Sequence, residues 1–189
     1  AFNALLTPAG GDSDTGVFAI DLQGFSGTER RYVRNTAVLQ TSLRSAHGDV
    51  LRITDFCPRF RGRGRMFRPM TFIRLVEPLA GRPVIRMRLR PAAGYGDGEP
   101  QRHTGTHNIC FHTPTLRYRV TTNASRTALQ DGDWTMLDGP LAFVIGPDET
   151  LDDAPLTIAR RFLDSTVEYW QDWVRGLAIP AEWQEAVIR

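Results

Sequence analysis

Val84-Ile-Arg-Met-Arg-Leu-Arg90 alternates without a break: Ile85, Met87 and Leu89 on one parity, Arg86, Arg88 and Arg90 on the other. A period of two is the mark of a strand with one face in a core and the other toward polar surroundings. On a helix the same arginines would be scattered around the whole circumference. Working outward, Leu116-Arg-Tyr-Arg-Val120 repeats the alternation, and Val50-Leu-Arg-Ile-Thr-Asp-Phe56 places Leu51 and Ile53 on one face. Leu141-Ala-Phe-Val-Ile145 is apolar throughout, as a strand buried on both faces requires. Val17-Phe-Ala-Ile-Asp-Leu22 and Thr71-Phe-Ile-Arg-Leu-Val76 add two more strands, and residues 32–43 read as one long, β-branched strand.

Turn chemistry separates these runs. Ala46-His-Gly-Asp49 and the segment Glu77-Pro-Leu-Ala-Gly81-Arg-Pro83 turn one strand back onto the next, and Gln130-Asp-Gly-Asp133 predicts a tight turn before Trp134. Residues 8–15, 59–69 and 91–105 read as the loosest segments. Many strands at this spacing predict a mainly β domain, an antiparallel sandwich, over residues 1–150. After Gly146 the period changes to 3.6. Ala159, Phe162, Leu163, Thr166, Val167, Trp170 and Trp173 recur at three and four, an apolar stripe that has to lie on something. Asp152 or Asp153 is expected to cap this helix, Pro155 suits its first turn, and Gly176 with Pro180 ends it. Residues 151–180 thus read as a helical linker, and residues 181–189 as the opening of a further helix.

Composition bounds the function. A chain of 189 residues buries about 70% of its unfolded surface and needs no staples. No apolar run approaches the roughly 18 residues of a membrane helix, and no leader is visible. Two cysteines, Cys57 and Cys110, are too few for a disulfide framework and read as buried thiols of a reducing, cytoplasmic compartment. The net charge is +2 and every basic residue is Arg. So balanced a charge argues against a dedicated nucleic-acid binder, which needs a net basic footprint.

The candidate sites each carry a plain alternative. Arg59, Arg61, Arg63 and Arg65 alternate, with Arg68 close behind, a pattern able to grip phosphate but better read as a solvated or interface loop. His103, His107, Cys110 and His112 hold soft and borderline ligands at a spacing that fits no common zinc motif. They read as structural or surface side chains, and no metal or cofactor is expected. Gly94-Tyr-Gly96-Asp-Gly98 follows a strand but precedes no helix, so it is a hairpin tip and not a dinucleotide loop. Asp55 ends a strand beside Phe56, Cys57 and Pro58. No spacing singles out an acid/base pair.

Four segments together resemble one family. Arg31-Tyr-Val-Arg-Asn-Thr-Ala-Val-Leu-Gln-Thr41, Ile53-Thr-Asp-Phe-Cys-Pro58, Arg74-Leu-Val-Glu-Pro-Leu-Ala-Gly81, and the tail from Phe162-Leu through Thr166, Tyr169-Trp170 and Trp173 to Trp183 and Ala186-Val-Ile-Arg189 are similar, in that order, to bacterial glycoside hydrolase family 15 proteins, glucoamylase-like and trehalase-like. Ala1-Phe-Asn-Ala-Leu-Leu6 is similar to a segment near their start. The resemblance implies an N-terminal β-supersandwich followed by an α/α toroid that carries two catalytic glutamates downstream of Arg189. It implies an inverting hydrolase of α-glucosidic bonds in an oligosaccharide or trehalose, with no catalytic residue in this segment. Phe162, Trp170, Trp173 and Trp183 are expected to pack between the domains, and Asp55 and Arg59 to approach the substrate cleft. The expected partners are the chain's own toroid and a sugar, with neither nucleic acid nor membrane. A free-standing carbohydrate-binding or interaction module is the second reading, distinguished by glucan binding of the isolated segment. An Arg-rich nucleic-acid binder is the third, distinguished by steeply salt-dependent binding.

Overall fold

The computed structural model describes residues 16–62, 64–93, 98–177, 179–180 and 182–183. Expectations placed on residues 1–15, 94–97 and 184–189 lie outside them. The chain runs β1 (Val17–Leu22), β2 (Phe25–Tyr32), β3 (Leu39–Ser45), β4 (Val50–Phe56), β5 (Phe60–Gly62), β6 (Arg65–Phe67), β7 (Phe72–Ala80), β8 (Val84–Arg90), β9 (Gln101–Thr104), β10 (Asn108–His112), β11 (Arg117–Thr122), α1 (Arg126–Asp131), β12 (Trp134–Met136), β13 (Leu141–Gly146) and α2 (Pro155–Arg175). The protein is mainly β, as the alternation predicts.

Two antiparallel sheets face one another. The larger has eight strands in the order β2-β3-β4-β7-β13-β11-β10-β9, and the smaller has β8 between β1 and β12. The opening stretch behaves as its pattern requires. Ile85, Met87 and Leu89 enter the core between the sheets, while Arg86 and Arg88 face outward and share the carboxylate of Asp21. Opposite them, Leu51, Ile53, Val76, Phe143, Ile145 and Val120 line the inner face of the large sheet. Short helix α1 packs on β8, with Ala128 and Leu129 in this core.

β13 explains its own composition. Phe143 and Ile145 point into the inter-sheet core, and Ala142 and Val144 point to the opposite face. There α2 lies across the large sheet, burying Ala159 against Val38, Phe56, Ile73 and Leu75, with Phe162, Leu163 and Val167 flanking them. The architecture is therefore three layers: small sheet, large sheet, helix. Each fully buried aliphatic side chain contributes about 1.5–3 kcal/mol of transfer free energy to holding these layers together.

Several expectations give way. Residues 32–43 are not one strand: β2 ends at Tyr32 and β3 begins at Leu39. Between them Asn35 adopts a left-handed φ of 59°. The Thr36 hydroxyl donates to the Val33 carbonyl (2.8 Å) and accepts from the Val38 N–H (3.1 Å). Turn hydrogen bonds from Asn-Thr outweigh the β-branched composition. The turn expected at Gln130-Asp-Gly-Asp133 is instead the end of α1, capped by Ser125 at its start and closed by Gly132 in the left-handed conformation. Neither Asp152 nor Asp153 caps α2. Ala154 holds that position without a side-chain bond, because Asp153 spends its carboxylate on the Ala154 N–H. The segments 59–69 and 91–105, read as loose, contain β5, β6 and β9.

The cysteines also differ from expectation. Cys57 is exposed and Cys110 half-buried, and both are free thiols. Phe56 and Pro58 take the inward positions on either side of Cys57, so alternation turns the thiol out. Among the described residues no helix is long and apolar enough to cross a membrane.

Tyr118 is an imperfection of the core. Its ring stacks on Phe111 at 5.3 Å, but its buried hydroxyl has no hydrogen-bond partner among the described residues. Burial pushes the phenol well above its ordinary value. The folded state therefore loses stability as the pH rises past the unfolded phenol's value of about 10. Tyr118→Phe is expected to stabilise the protein by about 1 kcal/mol, because it removes an unpaired buried polar group, and to flatten that alkaline loss. A lower denaturation midpoint in the variant contradicts this account.

Candidate functional site

Asp55 and Arg59, four residues apart, do not share a cleft. Asp55 lies on the inner face of the large sheet, level with Leu39 of β3 and Arg74 of β7. Arg74 holds it as a fork, with Nε donating to Oδ1 at 2.7 Å and Nη2 to Oδ2 at 2.8 Å. The third arm, Nη1, donates to the Phe18 carbonyl at 2.7 Å, and the guanidinium lies 4.4 Å from the centre of the Phe18 ring. Each side chain is only 16% exposed. A carboxylate held by two charge-assisted bonds at a strand pairing is a structural clamp between the sheets. Both of its oxygens accept from Arg74.

Arg59 turns the other way, onto α2. Its N–H donates to Thr166 Oγ1 (3.1 Å) and its Nε to the Tyr169 hydroxyl (3.2 Å). Its guanidinium lies 5.6 Å and 5.5 Å from the ring centres of Tyr169 and Trp170. The hairpin β5–β6 follows directly. Phe60 and Phe67 pair across it, and both meet Phe162 of α2, at 5.2 Å and 5.3 Å. The arginine-rich segment is thus a hairpin clasped to the helix by three rings and one stacked cation, not an open loop. Its glycines and arginines disguise the two phenylalanines that dock it.

Of the four residues expected to pack between domains, Phe162 is spent inside this chain. Trp170 is half-buried and meets Trp173 edge-on at 5.7 Å. Trp173 and Trp183 stay 45% and 59% exposed, so large apolar surface remains on and just after the last turn of α2.

The sheet brings His103, Cys110 and His112 to neighbouring positions and leaves His107 apart. His103 sits opposite Cys110 across β9 and β10, and the His103 and His112 rings approach to 5.0 Å, while His107 lies in the turn between. Among the described residues no group of three His, Cys, Asp or Glu side chains is arranged to hold a metal ion. Asp148 occupies this corner instead. It accepts from Arg119 Nε at 2.8 Å and lies 3.4 Å from the Cys110 sulfur. The Arg119 hydrogen bond, then that of Cys110, holds the Asp148 carboxyl below its ordinary value. Burial first, then Asp148, pushes the Cys110 thiol up, so it stays protonated at neutral pH and is a poor nucleophile.

One further cavity, about 300 Å³, opens at the rim between β8 and residues 135–141. Ile85, Met87, Leu137 and Leu141 make its wall. Its amide is already spent: Asn123 donates to the Pro140 carbonyl and accepts from the Ala142 N–H. It is a largely apolar notch in the sandwich, with Ser125, Thr135 and Asp138 among its lining residues.

Sequence reasoning missed the Asp21 cluster on the outer face of the small sheet. There Arg86 and Arg88 share Asp21, and Trp134 lies over Arg86 at 5.0 Å. Asp21 shares the outward parity of its own strand, opposite Arg86 in register, and that parity was the available signal.

These features define a class: a three-layer β-sandwich in which Asp55 with Arg74, Asp21 with Arg86 and Arg88, and Arg59 on α2 hold its elements together. No protein-family model, no curated protein and no solved structure matches the chain.

Proposed function

We propose that this segment is the N-terminal, non-catalytic domain of a glycoside hydrolase acting on α-glucosidic bonds, of the glucoamylase-like or trehalase-like kind, and that it supports a catalytic α/α toroid. One observation carries the reading. The residues on which the family resemblance rests are in contact with one another, although they come from four separate segments. Asn35 and Thr36 make the turn that seats Val38 beside Phe56 and Ala159. Asp55 of the second segment is clamped by Arg74 of the third. Thr166 and Tyr169 of the fourth hold Arg59, the residue that follows the second.

On this reading the acid and base that cleave the sugar, about 6.5–9.5 Å apart in an inverting enzyme, belong to the toroid. The sandwich supplies a platform, and the exposed Trp173 of α2, with Trp183 beyond it, supplies apolar contact to the next domain. Asp55 acts as a clamp through its pair with Arg74. The test is hydrolysis by the natural full-length protein of maltose, maltotriose and trehalose, followed by proton NMR of the first product. The expected result is release of β-glucose from at least one of them, and none from residues 1–189 alone. If the full-length protein leaves all three intact, or if the segment alone turns them over, the assignment falls.

A further inference from the structure

The hairpin β5–β6 is built to present charge. From Phe56 to Val76 the chain contains six arginines and no Asp or Glu. Two of the six are engaged, Arg59 on α2 and Arg74 on Asp55. Arg61, Arg65 and Arg68 are exposed, and among the described residues none of the three forms an ion pair. Exposed apolar side chains lie among them: Met66 and Phe67 at 38% and Met70 at 83%. Arg61 and Met66 are register partners and share the hairpin face turned away from Phe162. The element cannot collapse onto an acid of its own, because the aromatic trio and the stacked Arg59 hold its base. A rigid, outward set of guanidinium forks loses little conformational entropy when it meets carboxylates.

We propose that the outward side of the β5–β6 hairpin, with Met70 behind it, is a docking surface for an acidic protein face. Resting on the function proposed above, that face is the carboxylate-lined rim of the catalytic domain's cleft. Arginine, methionine and phenylalanine intermixed is the composition of protein–protein contacts. Nucleic acid fits less well. Its binding needs a broad basic footprint, whereas this patch holds three free cations on a chain whose 21 acids nearly balance its 23 arginines. The hairpin rests on the same helix that carries Trp173: Phe67 meets Phe162, and Arg59, next to the hairpin, lies over Trp170, which meets Trp173.

The test is arginine labelling of the natural full-length protein with a dicarbonyl reagent, read residue by residue by mass spectrometry. Arg82 and Arg102, exposed on other parts of the sandwich, serve as controls. Arg61, Arg65 and Arg68 are expected to react at least about tenfold more slowly than the controls at low salt, the factor set by a contact favoured by about 1.4 kcal/mol. In molar salt they are expected to approach the control rate. The triple variant Arg61→Glu, Arg65→Glu, Arg68→Glu is expected to fold and to expose Trp173 to a collisional fluorescence quencher. Labelling at the control rate in low salt overturns the proposal, and so does protection that appears only on adding an oligonucleotide. Glucoside hydrolysis measured on the same preparation separates the two claims. Activity with fast labelling removes the docking surface and leaves the function, whereas slow labelling without activity does the reverse.

Discussion

Arg74→Ala is expected to destabilise the protein by about 3–5 kcal/mol, the largest loss of any single change at a charged residue. The reason is asymmetry. Removing the guanidinium leaves Asp55 between two sheets, 16% exposed, with its carboxylate unpaired. It also removes the Arg74 hydrogen bond to the Phe18 carbonyl and the Arg74 cation from the Phe18 ring. The penalty belongs to the orphaned charge more than to the lost bond. The paired replacement Asp55→Leu, Arg74→Met is therefore expected to recover most of the stability, because a buried ion pair exchanged for apolar groups of similar volume is close to neutral. Chemical denaturation of the single and double variants checks both expectations. An Arg74→Ala loss under 1 kcal/mol means that water reaches Asp55 and that the clamp holds nothing.

Phe143→Ala is expected to cost about 3–5 kcal/mol, by a different mechanism. Phe143 is wholly buried in the middle of β13, edge-on to Phe18 at 5.0 Å. It stands opposite Arg74 across the strand pair. Truncation opens a cavity under both β1 and the clamp, and strands on either side of β13 hinder collapse. Because Phe143 and Arg74 share Phe18, the two losses are expected to be non-additive, with an interaction energy of about 0.5–3 kcal/mol. A double-mutant cycle measures it. Strict additivity means that Phe18 is held by other contacts.

Strand identity was legible where burial is one-sided and the pattern long: β4, β7, β8 and β13 follow from parity. The helix α2 was legible from its change of period and from Pro155 and Gly176. The three-residue strands and the short helix α1 were not. β5, β6, β12 and α1 are too short for a period to emerge, and each exists because a neighbour receives its side chains, as Phe162 receives Phe60 and Phe67. The candidate site was legible only as residue types. Asp55 and Arg59 stood out correctly as charged groups at a strand end, but nothing local says that the chain crosses from one face of the sheet to the other between them.

The sequence by itself determined that this protein is a mainly β chain with one amphipathic helix, because alternation at two and recurrence at 3.6 are properties of neighbouring residues along a backbone. It also determined which faces had to be covered. Only the tertiary structure decided what covers them and which charges meet. The Arg74 fork on Asp55 and the seat of Arg59 on Tyr169 are contacts between residues 19 and 110 positions apart, and the arginine hairpin left facing outward is the lack of one. Whether a charge is neutralised depends on the few ångströms around it and not on its distance along the chain.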